Sequence, residues 1–167
     1  MFEYPLLLVF PVAMVFAAAF DLLTMTIPNK ISMALVGSFV LVAPLSGLPL
    51  SIIGLHVATG AAVLVACYVL FAFNLLGGGD GKLLAAAALW LGFAALGDFL
   101  LTVGVLGGVL SGVILAFRLY VPATLFTGPA WLVRLHGKDN GVPYGLAIGA
   151  AALLLYPDTP WFSALIG

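Results

Sequence analysis

A chain of 167 residues that is 65% hydrophobic and 7% charged, with a mean hydropathy of +1.31, is not a water-soluble domain, which carries about 25% charged residues. Its net charge of −1 and five Lys and Arg residues exclude a phosphate-binding stripe and, with it, nucleic acid as a partner. Cys67 stands alone, which excludes an internal disulfide and a cysteine zinc centre, and the length suits one domain, 1–167, with lipid as its surroundings.

A helix needs about 20 apolar residues to cross a bilayer, within a range of about 17–25. On that measure the chain reads as an all-α polytopic membrane protein with about six transmembrane helices. The first runs from about Pro5 to Leu23. Glu3 stands where a secretion signal carries positive charge, and no small-residue cleavage site follows, so this helix is expected to be retained. Pro28 turns the chain. The second segment, about Ile31 to Leu45, is short and ends at Pro44 and the Ser46-Gly47-Leu48-Pro49 turn. The third, about Ser51 to Leu75, can span with tilt. After a glycine run comes the fourth, Gly81 to Gly97, whose alanines from Ala85 to Ala88 suit close helix contact. The fifth runs from about Phe99 to Val121 and is closed by Pro122. A loop from Thr124 to Gly141 holds most of the remaining charge, and the sixth segment, about Val142 to Tyr156, stops at Pro157-Asp158.

Threading these segments alternately puts Lys30, Lys82, Arg118, Arg134 and Lys138 on one side, and Glu3, Asp98 and Asp158 on the other. The basic side is therefore expected to face the cytoplasm, with both termini on the opposite side. Trp131 and Trp161 are expected near the membrane interfaces.

The chemistry concentrates in Asn74-Leu75-Leu76-Gly77-Gly78-Gly79-Asp80-Gly81-Lys82. A carboxylate in a glycine-rich break between apolar runs costs roughly 2.5–3.5 kcal/mol to insert, so an intramembrane Asp is a functional candidate. Glycine-rich backbone at that depth has to be buried in protein or line a wet cavity. Asp21, at the same end of the first segment, is the partner candidate for Asp80. Two carboxylates in a low-dielectric site do not both ionise easily, so the pair splits into an acid and a base, the equipment of aspartic proteolysis. The bland alternative is that each Asp caps a helix or sits at a wet interface.

Gly77-Gly78-Gly79-Asp80 fits the GxGD signature of membrane aspartic proteases, and its extension through Gly81, Lys82 and Leu83 resembles the type IV prepilin peptidases. Asp21 followed by Ile27-Pro28-Asn29 resembles the first-aspartate region of that family, and Val142-Pro143-Tyr144-Gly145 resembles its small Flp-pilus (tight adherence) branch. The resemblance implies an endopeptidase of the bacterial inner (cytoplasmic) membrane, its site facing the cytoplasm, that removes the leader of a prepilin or pseudopilin. It implies Asp21 and Asp80 as the catalytic pair, with no metal and no cofactor. Larger members carry a cysteine-bearing loop for N-methylation; only Thr24 to Lys30 stands in its place, so S-adenosylmethionine is not expected. Presenilin-like proteases pair GxGD with Tyr-Asp and Pro-Ala-Leu, whereas Phe20 precedes Asp21 and Pro122-Ala123-Thr124 is the nearest later match.

Other residues carry weaker expectations. Gly77 and Gly79 give a substrate backbone room. Lys82 could hold an acidic group of the substrate or modulate the carboxylates, against the plainer reading of a snorkelling lysine. Asn74 and Tyr144 could hydrogen-bond the pair or the substrate. Lys30, Arg118, Arg134 and Lys138 suit topology and anionic headgroups. His56 reads as a packing residue, Cys67 as a small buried hydrophobe, and His136 lacks a second ligand at metal spacing. Two other functions compete: a small transporter or channel component relaying protons or cations through Asp21 and Asp80, and a non-catalytic assembly factor.

Overall fold

The computed structural model describes residues 8–121, 128–137, 141–161 and 163. Glu3, Pro122, Lys138 and Asp139, on which parts of the topology reading rest, lie outside them, as does Pro5. Among the described residues there are helices and no strands.

Helix α1, Val9–Thr24, buries Phe10, Met14, Ala17, Ala18 and Asp21. That spacing is one face of a helix, so the register that buries the apolar residues also turns Asp21 inward. The helix stops at Met25, which is left-handed (φ 56°) and whose N–H donates to Asp21 O, a common way to satisfy a last-turn carbonyl. Pro28, extended, leads into α2, Asn29–Val42. A 3-10 turn, Ala43–Leu45, connects to α3, Leu50–Ala72, which buries His56, Thr59, Gly60, Val63 and Cys67 along one stripe. Asn74 takes a left-handed conformation (φ 58°), which its short polar side chain tolerates, and the chain turns into α4, Gly78–Tyr120.

Within α4 the backbone of Gly92 is not helical (φ 78°, ψ 178°), a region that only glycine enters without strain. A straight helix would carry Ser111 about 46 Å from Asp80 at 1.5 Å per residue. Instead, the Ser111 hydroxyl lies 3.2 Å from that of Tyr144, which lines a cavity with Asp80. The chain therefore doubles back at Gly92, into arms 78–91 and 93–120. A helix ending there leaves its last carbonyls without intrahelical donors. His56 Nδ1 donates to Leu89 O at 2.9 Å, the carbonyl acceptor requiring the proton on that nitrogen, and Trp161 Nε1 donates to Trp90 O at 2.6 Å.

The reversal corrects the boundary expected at Gly97 and Asp98. Both lie inside the second arm, because a charge marks no break, whereas the backbone of Gly92 does. Trp161 is likewise not at an interface. It is 1% exposed and packs edge-on to Trp90, Phe39 and His56, in a core completed by Phe10, Phe99 and Tyr156. The expected loop from Thr124 to Gly141 contains a short helix, α5, Ala130–His136. His136 is buried in it, its Nε2 bonded to Val121 O.

The last helix, α6, Tyr144–Leu155, packs against both α1 and α4. A Cβ at Gly149 would lie 2.9 Å from Met14 O and 3.1 Å from Ala18 Cβ, so α6 lies flush on α1 because that position is glycine. Two helices, α3 and α4, are long and apolar enough to cross a membrane, while α1, α2 and α6 are shorter. Outward-facing Val15, Phe16, Met33, Leu41, Val65, Val105 and Val113 are exposed, an exterior that suits hydrocarbon rather than water.

Candidate active site

Asp21 and Asp80, in separate helices, reach the same space. Asp21 is 5% exposed and its Oδ2 accepts the backbone N–H of Gly145 at 2.6 Å. Gly145 is the second residue of α6, after Pro143 and Tyr144. Its N–H is one of the donors a helix start leaves unpaired, and the positive end of the helix favours a carboxylate there. The approach needs glycine: a Cβ would stand 2.8 Å from Asp21 Oδ2, 2.9 Å from Asp21 Cβ and 2.7 Å from Ile27 Cδ1.

Asp80 is the acidic residue in the first turn of α4, whose N-cap is Gly77. A Cβ on Gly77 would meet Asp80 Oδ2 at 2.6 Å, and one on Gly79 would meet Ile27 Cβ at 3.4 Å. Ile27 is thus a shared wedge, with its backbone and Cβ against Gly79 and its Cδ1 against Gly145. The glycine run and the start of α6 close on it from two sides.

Two cavities open on the pair. One of about 670 Å³ is lined by Asp21, Asp80, Met25, Asn74, Gly141 and Tyr144 among others. The second, about 320 Å³, is lined by Asp21, Asp80, Thr26, Ile27, Asn29 and the glycines Gly77, Gly78 and Gly79. The two acids therefore sit where the two spaces adjoin.

Of the residues singled out in the sequence, Asn74, Gly77, Gly79 and Tyr144 all border this space. Tyr144 lies over Gly107, where a Cβ would come 2.7 Å from Cε1 of its ring. Lys82 borders neither cavity: its Nζ donates to Asn29 Oδ1 at 3.0 Å, and Asn29 lines the smaller one. Two of the arginines read as topology residues bind backbone near the site. Arg134 Nη2 donates to Leu23 O, a last-turn carbonyl of α1 that lacks an intrahelical donor. Arg118 donates to Leu135 O and Gly141 O at 2.8 and 3.0 Å.

Sequence reasoning missed the contact of Gly145 with Asp21, although Gly145 stood in the quoted Val-Pro-Tyr-Gly stretch, and it missed Met25 and Ser111; Asn29 stood in the quoted Ile-Pro-Asn stretch without a role of its own. The available signal was a glycine just inside a helix start, which marks a place where something approaches the backbone. Among the described residues no three His, Cys, Asp or Glu side chains are grouped to hold a metal ion. The arrangement offers carboxyl chemistry: two acids, one held by a backbone donor, facing common space beside an open glycine backbone.

The model of the type IV leader peptidase family matches residues 8–116, a span that contains Asp21 and Asp80. No curated protein and no solved structure matches the chain.

Proposed function

The chain belongs to the type IV leader peptidase family, and from that premise we propose that it is an aspartic endopeptidase removing the leader of Flp-type prepilins with Asp21 and Asp80. One observation carries the reading: both carboxylates border the same two cavities. One carboxylate, ionised, takes a proton from a water that attacks the scissile carbonyl; the other, protonated, hydrogen-bonds the developing oxyanion. The proton then passes to the leaving amine as the tetrahedral intermediate collapses. The Gly145 N–H holds Asp21 in place, and Gly77, without a side chain, leaves the peptide backbone room beside Asp80. The chemistry needs no metal or organic cofactor.

We place the protein in the bacterial cytoplasmic membrane with about six crossings, the carboxylates toward the cytoplasm and both termini on the far side. The reversal at Gly92, in place of a turn at Asp98, supports reading α4 as two crossings. The substrate is a membrane-anchored prepilin cut where its leader meets its apolar segment. Co-expression with an Flp-type prepilin tests this by leader removal on a gel. Asp21→Asn and Asp80→Asn, at normal protein levels, should each slow cleavage by at least about a hundredfold. Undiminished cleavage by either variant would sink the two-aspartate mechanism.

A further inference from the structure

Away from the carboxylates, α2, α3 and the first arm of α4 form an open groove of about 710 Å³. Its walls are apolar, with Met33, Val57, Leu64 and Leu89 among them, and small at Gly37 and Ala61. Its polar residues, Asn29, Ser32 and Lys82, gather at one end, where α2 and α4 begin and where Lys82 holds Asn29. From Lys82 to Leu89 the groove runs about 10 Å along α4, two helical turns.

Two features point to an occupant. Ser32 is 7% exposed, and its Oγ is, among the described residues, the buried side-chain polar atom with no hydrogen-bond partner. A buried hydroxyl without a partner costs about 1–3 kcal/mol, and the residue that carries it lines the groove. Asn29 lines both this groove and the smaller cavity at Asp21 and Asp80, so the polar end of the groove adjoins that cavity across Asn29.

We propose that this groove docks the first two turns of the prepilin's apolar segment, on the mature side of the cut, with Ser32 accepting a hydrogen bond from its free N–H groups. The proposal rests on the peptidase reading above. A helix that begins at the cleaved bond exposes N–H donors with no intrahelical acceptor, and in lipid they need one from protein. Rotation of Ser32 about its Cα–Cβ bond would bring that unused acceptor to the end of the groove nearest the carboxylates. Gly37 and Ala61 let a helix backbone come close. The leader then leaves by the larger cavity, past Asn74 and Tyr144, so the groove also sets the direction in which the peptide crosses the pair.

The test uses the full chain with a photoreactive phenylalanine analogue in place of Val57, co-expressed with an Flp-type prepilin and irradiated in membranes. Adducts mapped by mass spectrometry should fall within about the first eight residues after the leader, two turns of helix. Gly37→Trp fills the groove where a Cβ meets nothing within 4 Å; it should cut both adduct yield and leader removal at least tenfold. Ser32→Ala, which removes one oxygen, should raise KM about threefold and leave kcat unchanged, the mark of lost docking rather than lost chemistry. Adducts to lipid or to a second copy alone, or full cleavage by Gly37→Trp, would overturn the proposal. Adducts without leader removal by the unsubstituted protein would sink the peptidase reading and leave the groove assignment standing. Leader removal without adducts would sink the groove alone.

Discussion

The ring of His56 occupies the place where a side chain on Gly92 would begin. A Cβ there would lie 2.5 Å from Cε1 and 2.7 Å from Nε2 of that ring, while Nδ1 of the same ring binds Leu89 O. Gly92→Ala is therefore expected to destabilise the protein by about 2–6 kcal/mol, from backbone strain and overpacking together. His56→Ala leaves Leu89 O buried and unpaired, at about 1–3 kcal/mol. The double variant should cost less than the sum, since removing the ring relieves the clash but not the strain at φ 78°. Thermal unfolding in detergent measures all three, and strict additivity would contradict the contact.

Gly145→Ala should leave a folded protein with a displaced Asp21. The added methyl collides with Asp21 Oδ2 and Cβ and with Ile27 Cδ1, so the carboxylate or α6 has to move. Cleavage is expected to fall by at least about tenfold, as misplacement by about 1 Å can cost about a hundredfold. Leader removal at matched protein levels reads the effect. Activity equal to the unsubstituted chain would show that Asp21 does not depend on this donor.

Tyr144 is tested through its neighbour. Gly107→Ala pushes against the Tyr144 ring at 2.7 Å, and the ring, being half-exposed, can yield into the larger cavity. Stability should change by less than about 1 kcal/mol because a mobile side chain absorbs the added volume, while KM for the prepilin rises. Tyr144→Phe, which loses only the hydroxyl contact with Ser111, should cost about 0.5–1.5 kcal/mol and cut the prepilin nearly normally. A rise in KM for Tyr144→Phe but not for Gly107→Ala would reverse that assignment.

A pair that works with one carboxylate ionised and its partner protonated gives a bell-shaped dependence of kcat/KM on pH, both limbs belonging to the pair. Steady-state cleavage of a prepilin in detergent, followed from acid to alkaline pH, checks it. A profile that only rises or only falls would mean that a single ionisation governs the reaction.

The two aspartates and the glycine run were legible because a charge and exposed backbone are rare between apolar runs, so Gly77, Gly79 and Asp80 announce themselves. Asp21 stood out by its place at the end of an apolar run, and it is buried on the same stripe as Phe10, Met14 and Ala17. Gly92 was silent: one glycine among alanines and leucines changes neither hydropathy nor period, and its φ is dictated by what packs on it. Asp98 was a misleading marker, since an exposed Asp is tolerated on a helix that continues. Trp161 misled in the same way. An indole fits an interface by composition, but here its N–H has a buried carbonyl to serve, at Trp90. Gly145 could not be tied to Asp21 from spacing, because the 124 positions between them are joined only by folding.

That separation also sets a schedule. At about 5–20 residues per second, roughly 6–25 s of synthesis pass between the ribosome's placing of Asp21 and of Gly145. Throughout that interval the early carboxylate lacks the donor that orients it. Its position is completed only once α6 has been made, so a nascent chain carries both acids well before it carries the finished arrangement around them.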